Sequence, residues 1–179
     1  MATTVTLQLP LGVLPSVSLT DEQLAMLTRI EQTDFPFVEE KLLKDGRIEL
    51  EDLPTAVREF KRFIALVGFR IGPLGMISSL IDEVWHQFIL FTRQYPRFCR
   101  ETVGFFIHHQ PNTSYTPVPS NAGRSFVRAY ERYFGPVPEF WFRGLPTEVA
   151  QTYTEKCSDP PPGECTPSGW EGDPPDDDD

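Results

Sequence analysis

The chain has 179 residues, 40% hydrophobic and 12% aromatic, which suits one domain with a modest core. Its net charge of −10 is uneven: residues 157–179 hold eight acids and no Lys or Arg, leaving 18 acids against 16 bases elsewhere. With no basic patch and no apolar run of membrane-spanning length, neither nucleic-acid binding nor a transmembrane helix is expected.

Eighteen prolines and twelve glycines imply short helices, and fourteen Phe with five Tyr and three Trp imply an aromatic core. Three cysteines at irregular spacing argue against a disulfide framework. The opening MATTVTLQLPLGVLP lacks the basic start of a signal peptide, so a cytoplasmic location is expected. Asn112-Thr113-Ser114 spells a glycosylation sequon and is read as chance on the same ground.

In chain order, residues 1–19 read as an extended N-terminal arm in which Val5, Leu7 and Leu9 alternate with polar residues, as suits an edge strand or a packed arm. Thr20 and Gln23 form a capping-box pattern for a first helix that buries Leu24, Leu27 and Ile30. Pro36 opens a second helix, ending at Asp45-Gly46. Asp52 caps a third, with Pro54 in its first turn. Val57, Phe60, Ile64 and Val67 make its core face, and Arg58, Lys61 and Arg62 its wet side. Ser79 and Asp82 cap the most apolar helix, from about Leu80 to Gln94, with Ile81, Val84, Trp85, Phe88, Phe91 and Thr92 inward. Pro96 ends it and starts a short helix carrying Phe98, Cys99 and Val103, which Gly104 stops. Phe105-Phe106-Ile107 is extended and leads into His108-His109, and residues 110–121 form a loop. A further helix from Ser120 or Asn121 carries Phe126, Tyr130, Tyr133 and Phe134; Phe140, Trp141 and Phe142 pack back on the core. A last short helix runs from Thr147 to about Glu155. The expected fold is all-α. Six or seven short helices over residues 20–155 pack around the central helix near 80–94, and residues 156–179 form a disordered acidic tail.

All three histidines fall within 24 residues, and Cys99 lies among them. Asp82 and His86, four apart, share one helix face. His86, Cys99, Asp82 and either His108 or His109 make a donor set suited to zinc, iron or copper, with Asp82 a ligand or the partner that orients His86. Neighbouring residues of an extended segment face opposite ways, so only one of His108 and His109 is expected to reach a shared site. None of the spacings is a standard zinc pattern, and each residue also has an ordinary structural role open to it. Cys99 as a nucleophile with a histidine base is a third reading, but no oxyanion hole is evident.

Residues Ile81 to His109 read IDEVWHQFILFTRQYPRFCRETVGFFIHH. This stretch resembles the glycine-rich-domain-protein-like family, through Asp82, Trp85, His86, Tyr95, Cys99 and Gly104; AYERYFGPVPEFWF at 129–142 is similar to its small bacterial-type members. The resemblance implies a helical domain and carries over no catalytic role, the family having no established activity. It departs from the larger members in lacking a glycine-rich C-terminal region. In the tail, Cys157 and Cys165 are spaced wrongly for a CxxC site, and Trp170 stands alone among acids. Two functions follow: a domain that binds a transition metal, or a non-catalytic interaction or scaffold module meeting a protein partner through its acidic tail or aromatic surface.

Overall fold

The computed structural model describes residues 8–110, 114, 115, 117 and 119–154. Among these the chain forms seven α-helices and no strand: α1 Asp21–Gln32, α2 Pro36–Lys44, α3 Leu53–Gly68, α4 Ser79–Ile89, α5 Gln94–Phe98, α6 Ala122–Phe134 and α7 Thr147–Thr154. Short 3-10 turns occupy Pro10–Gly12 and Glu139–Phe142, and a π turn, Cys99–Val103, continues α5. Val5, Leu7, the sequon's first two residues, Cys157, Cys165, Trp170 and the acidic tail lie outside the described residues.

Local chemistry sets several boundaries. The Thr20 hydroxyl accepts from Gln23 N at 3.1 Å, and the Gln23 side chain accepts from Thr20 N at 3.0 Å, so the capping box of α1 is complete. Its buried residues are Met26, Leu27 and Ile30, whereas Leu24 is 37% exposed. The cap of α4 is Ser78 rather than Ser79: its hydroxyl accepts from Ile81 N at 3.4 Å, which frees Asp82 for other partners. Asp52 precedes α3 without a side-chain cap bond; its carboxylate turns to Arg143 at 2.5 Å.

The centre of the molecule is the α3–α4 pair. Nine residues of α3 are buried, including Phe60, Phe63 and Ile64, and α4 buries Ile81, Val84, Trp85, Gln87 and Phe88. Phe35, Phe60, Phe88 and Phe98 interlock in one aromatic group, with Phe35 and Phe88 centroids 4.8 Å apart. Phe63, Trp85, Phe126, Tyr130 and Trp141 form a second, closest at 4.3 Å between Phe126 and Trp141. Offset and edge contacts of this kind each add about 0.5–1.5 kcal/mol beyond area burial.

Helix α4 ends at Ile89, five residues before the boundary read from the sequence, and Leu90, Thr92 and Gln94 are exposed. The break has a structural consequence. Ten residues along an unbroken helix span about 15 Å, yet the Trp85 indole N–H donates to the Tyr95 hydroxyl at 3.0 Å. The chain must fold back between them, and α5 starts at Gln94 with Pro96 inside it.

The assignment of Arg62 to the wet side is also corrected. Its side chain is 14% exposed, held against the fully buried Glu59 at 3.1 Å, with Nε donating to the Leu11 carbonyl at 2.9 Å. The spacing of Val57, Phe60 and Ile64 located the core face of α3 but not this charged pair beside it. Leu11 and Val13 are buried, so the described part of the N-terminal arm packs on the domain through a 3-10 turn, as the packed-arm alternative has it.

Candidate functional site

Asp82, on the first turn of α4, meets two histidines. Its Oδ2 lies 3.5 Å from His86 Nε2, one helical turn on, and its Oδ1 accepts from His109 Nε2 at 3.0 Å. One ligand-type atom from each of the three lies within 4.8 Å of the other two. The two imidazole centroids are 4.5 Å apart. His109 is 11% exposed and His86 46%, so one side of the group is packed and the other faces outward.

The extended segment 105–109 decides which histidine arrives. Ile107 is buried and His109 nearly so, while Phe106 and His108 are exposed with their rings 4.7 Å apart. This is strand-like alternation, so His108 and His109 diverge. Cys99 does not join the group either. It is fully buried beside Tyr95 and the Ile107 backbone.

The Trp-His…Tyr…Cys…Gly residues act together as a support. The Trp85 indole donates to the Tyr95 hydroxyl, which donates to the Ile107 carbonyl, and the Trp85 ring meets His109 edge-on at 4.5 Å. Gly104 closes the π turn in a left-handed conformation, φ +99, with its N–H on the Cys99 carbonyl at 2.8 Å. A side chain at this φ would be strained. These contacts aim the segment that carries His109 at α4.

Burial pushes the Cys99 thiol above its ordinary value, partly offset by the Ile107 backbone and the Tyr95 hydroxyl. A buried, protonated thiol is a poor nucleophile. Burial also raises the phenols of Tyr95 and Tyr130, the latter further by Glu59. An acid whose folded pKa is raised keeps its proton while the unfolded chain loses it. The stability it contributes is therefore complete below the unfolded value and falls as pH rises above it. The ordinary values are 9.0 for the thiol and 10.0 for the phenols, so the fall begins near pH 9. Burial lowers the partly exposed Lys61, which acts in the opposite sense, one group against three. The urea midpoint at pH 10.5 is expected to lie below that at pH 8. A midpoint that holds or rises would contradict the burial of these three groups.

Asp82, His86 and His109 edge a cavity of about 690 Å³, within the usual range for small-molecule sites, and His108, though off the Asp82 group, lines it too. Its other walls come from segment 73–77, the start of α6 and Tyr153 of α7. The sequence reading passed over these wall residues; only the cluster of Gly72, Pro73 and Gly75 marked the segment as irregular.

The molecule is thus an all-α domain with an open cavity lined by three imidazoles and a carboxylate, two of the imidazoles lying on that carboxylate. The chain belongs to the UCP032817-like family, whose profile matches residues 26–133, more than half of its length. The match carries no glycine-rich-domain name, and the family description assigns no reaction. No curated protein and no solved structure matches the chain. No helix of the described residues is long and apolar enough to cross a membrane.

Proposed function

We propose that Asp82, His86 and His109 bind a divalent transition metal, and that the domain acts through this site. The supporting observation is the spacing of their ligand atoms, 3.0 Å and 3.5 Å from the two oxygens of Asp82. Ligands about 2.1 Å from an ion stand roughly 3.0 Å apart in octahedral and roughly 3.4 Å apart in tetrahedral coordination. These two spacings are near the edge lengths of a coordination shell, and the three ligand atoms, within 4.8 Å of one another, would close further on the ion. Two imidazoles and one carboxylate leave at least one position for water or a ligand, as in catalytic zinc sites and 2-His-1-carboxylate iron sites. Without Cys99 in the set, a thiolate-dependent copper(I) site loses its basis. The ion would replace the proton between His109 and Asp82, so affinity falls with acid.

Elemental mass spectrometry on tag-free protein reconstituted with zinc or iron(II) tests the reading. About one equivalent is expected. The largely exposed His86 is the informative change, because His86→Ala should leave the fold intact. It should weaken binding by more than about 100-fold, beyond the 10–100-fold of outer-shell contacts. Equal metal in wild type and His86→Ala would reduce the cluster to a hydrogen-bonded tie between α4 and segment 105–109. The search would then turn to protein partners.

A further inference from the structure

The cavity's lining is mixed but poor in fixed charge. Phe63, Leu74, Met76, Ile77 and Trp85 give it an apolar wall, the His/Asp group gives it a polar edge, and His108, Gln110 and Ser120 add polar groups without fixed charge. Among the described residues the lining holds no Lys or Arg, and Asp82 is its one carboxylate. A polyphosphate or a dicarboxylate would need fixed cations that this wall does not supply. A divalent ion on Asp82 leaves about one net positive charge at that edge, enough for a single anionic group.

The wall is also held in place. A Cβ at Gly75 would stand 2.9 Å from Gly123 N, and Gly75 N donates to the Ala122 carbonyl at 3.0 Å, so segment 73–77 is pressed against the start of α6. A Cβ at Gly123 would stand 2.5 Å from the Tyr153 ring, which seats α7 just as closely. A cavity whose walls meet backbone to backbone is largely formed before a ligand arrives, which lowers the ordering cost of binding.

We infer that this cavity binds a small organic monocarboxylate, its apolar body against Leu74, Met76 and Ile77 and its carboxylate on the metal held by Asp82, His86 and His109. The inference rests on the metal reading above. Cobalt(II) serves as the probe ion, because its visible absorption bands report ligation and then respond to an incoming ligand. Phenylacetate, acetate and inorganic phosphate are titrated into the cobalt-loaded full chain. Phenylacetate should half-saturate the change at a concentration about 10- to 100-fold below acetate, the ratio expected for burying one aromatic ring. Phosphate should bind no tighter than acetate. Leu74→Gln should keep the cobalt bands and lose most of the preference for phenylacetate. If no cobalt bands appear, the metal reading fails and this one with it. If the bands appear but acetate matches phenylacetate, phosphate binds tightest, or Leu74→Gln keeps the preference, the metal reading stands and the monocarboxylate assignment is overturned.

Discussion

Glu59→Ala is expected to cost about 3–5 kcal/mol of folding stability, the usual penalty for removing one partner of a buried ion pair. Glu59 has no exposed surface, yet sits on the apolar side of α3. Its Oε2 accepts from the Tyr130 hydroxyl at 2.6 Å and the Trp141 indole N–H at 2.8 Å, and its Oε1 accepts from Arg62 at 3.1 Å. Arg62 also donates to the Tyr130 hydroxyl at 2.6 Å and to the Leu11 carbonyl. One carboxylate and one guanidinium thereby join the N-terminal turn, α3, α6 and the 139–142 turn. Removing the carboxylate leaves the Arg62 guanidinium with only neutral partners, the Tyr130 hydroxyl and the Leu11 carbonyl, and the Trp141 N–H without an acceptor, desolvation costs that are at best partly offset. Against a typical total of roughly 5–15 kcal/mol, the variant should melt far below wild type. The double variant Glu59→Leu with Arg62→Met should recover only part of the loss: no buried charge is left uncompensated, but the Trp141 N–H and the Tyr130 hydroxyl still lack their acceptor. Urea unfolding of the three proteins checks both statements. A loss under about 1 kcal/mol for Glu59→Ala would mean that water or rearrangement satisfies the network.

The same residue marks where sequence reading stops. Helix caps and periodicity are local, and they placed α1, α2, α3 and α6 closely. Glu59 stands three residues after Ala56 and four before Phe63, on their face of the helix. That was the available signal of an acid in the core. Arg62 is one of its partners at a local spacing of three, but Tyr130 and Trp141 lie 71 and 82 residues away, and no spacing in the chain specifies them. The candidate site divides the same way. Asp82 with His86 is a one-turn pair that any helix displays, and the alternation of an extended segment limits the second histidine to one of two. Choosing His109 over His108 depends on which side Ile107 is buried. Cys99 shared the sequence window but was drawn into the core by the π turn. The cavity wall, built from segments 73–77, α6 and α7, has no sequence signature because it exists only through tertiary contact.

Tyr95→Phe isolates how the scaffold holds the site. The phenol occupies the middle of a relay, accepting from Trp85 and donating to the Ile107 carbonyl. Phenylalanine fills the same volume but leaves a buried N–H and a buried carbonyl without partners, at about 1–3 kcal/mol each. The expected loss is about 2–6 kcal/mol. The loss should be local first: the Ile107 carbonyl anchors the segment ending in His109, so amide hydrogen exchange at His108 and His109 should quicken well before global unfolding. Under the metal reading, affinity should also fall about 10–100-fold, as for other groups that orient a ligand without touching the ion. A remote core truncation such as Leu27→Ala, of comparable cost at about 2–5 kcal/mol, supplies the control, since it should spare both readouts. If the two variants lose stability alike and neither exchange at His109 nor metal affinity distinguishes them, Tyr95 is an ordinary core residue and the Trp85–Tyr95–Ile107 relay does not position the site.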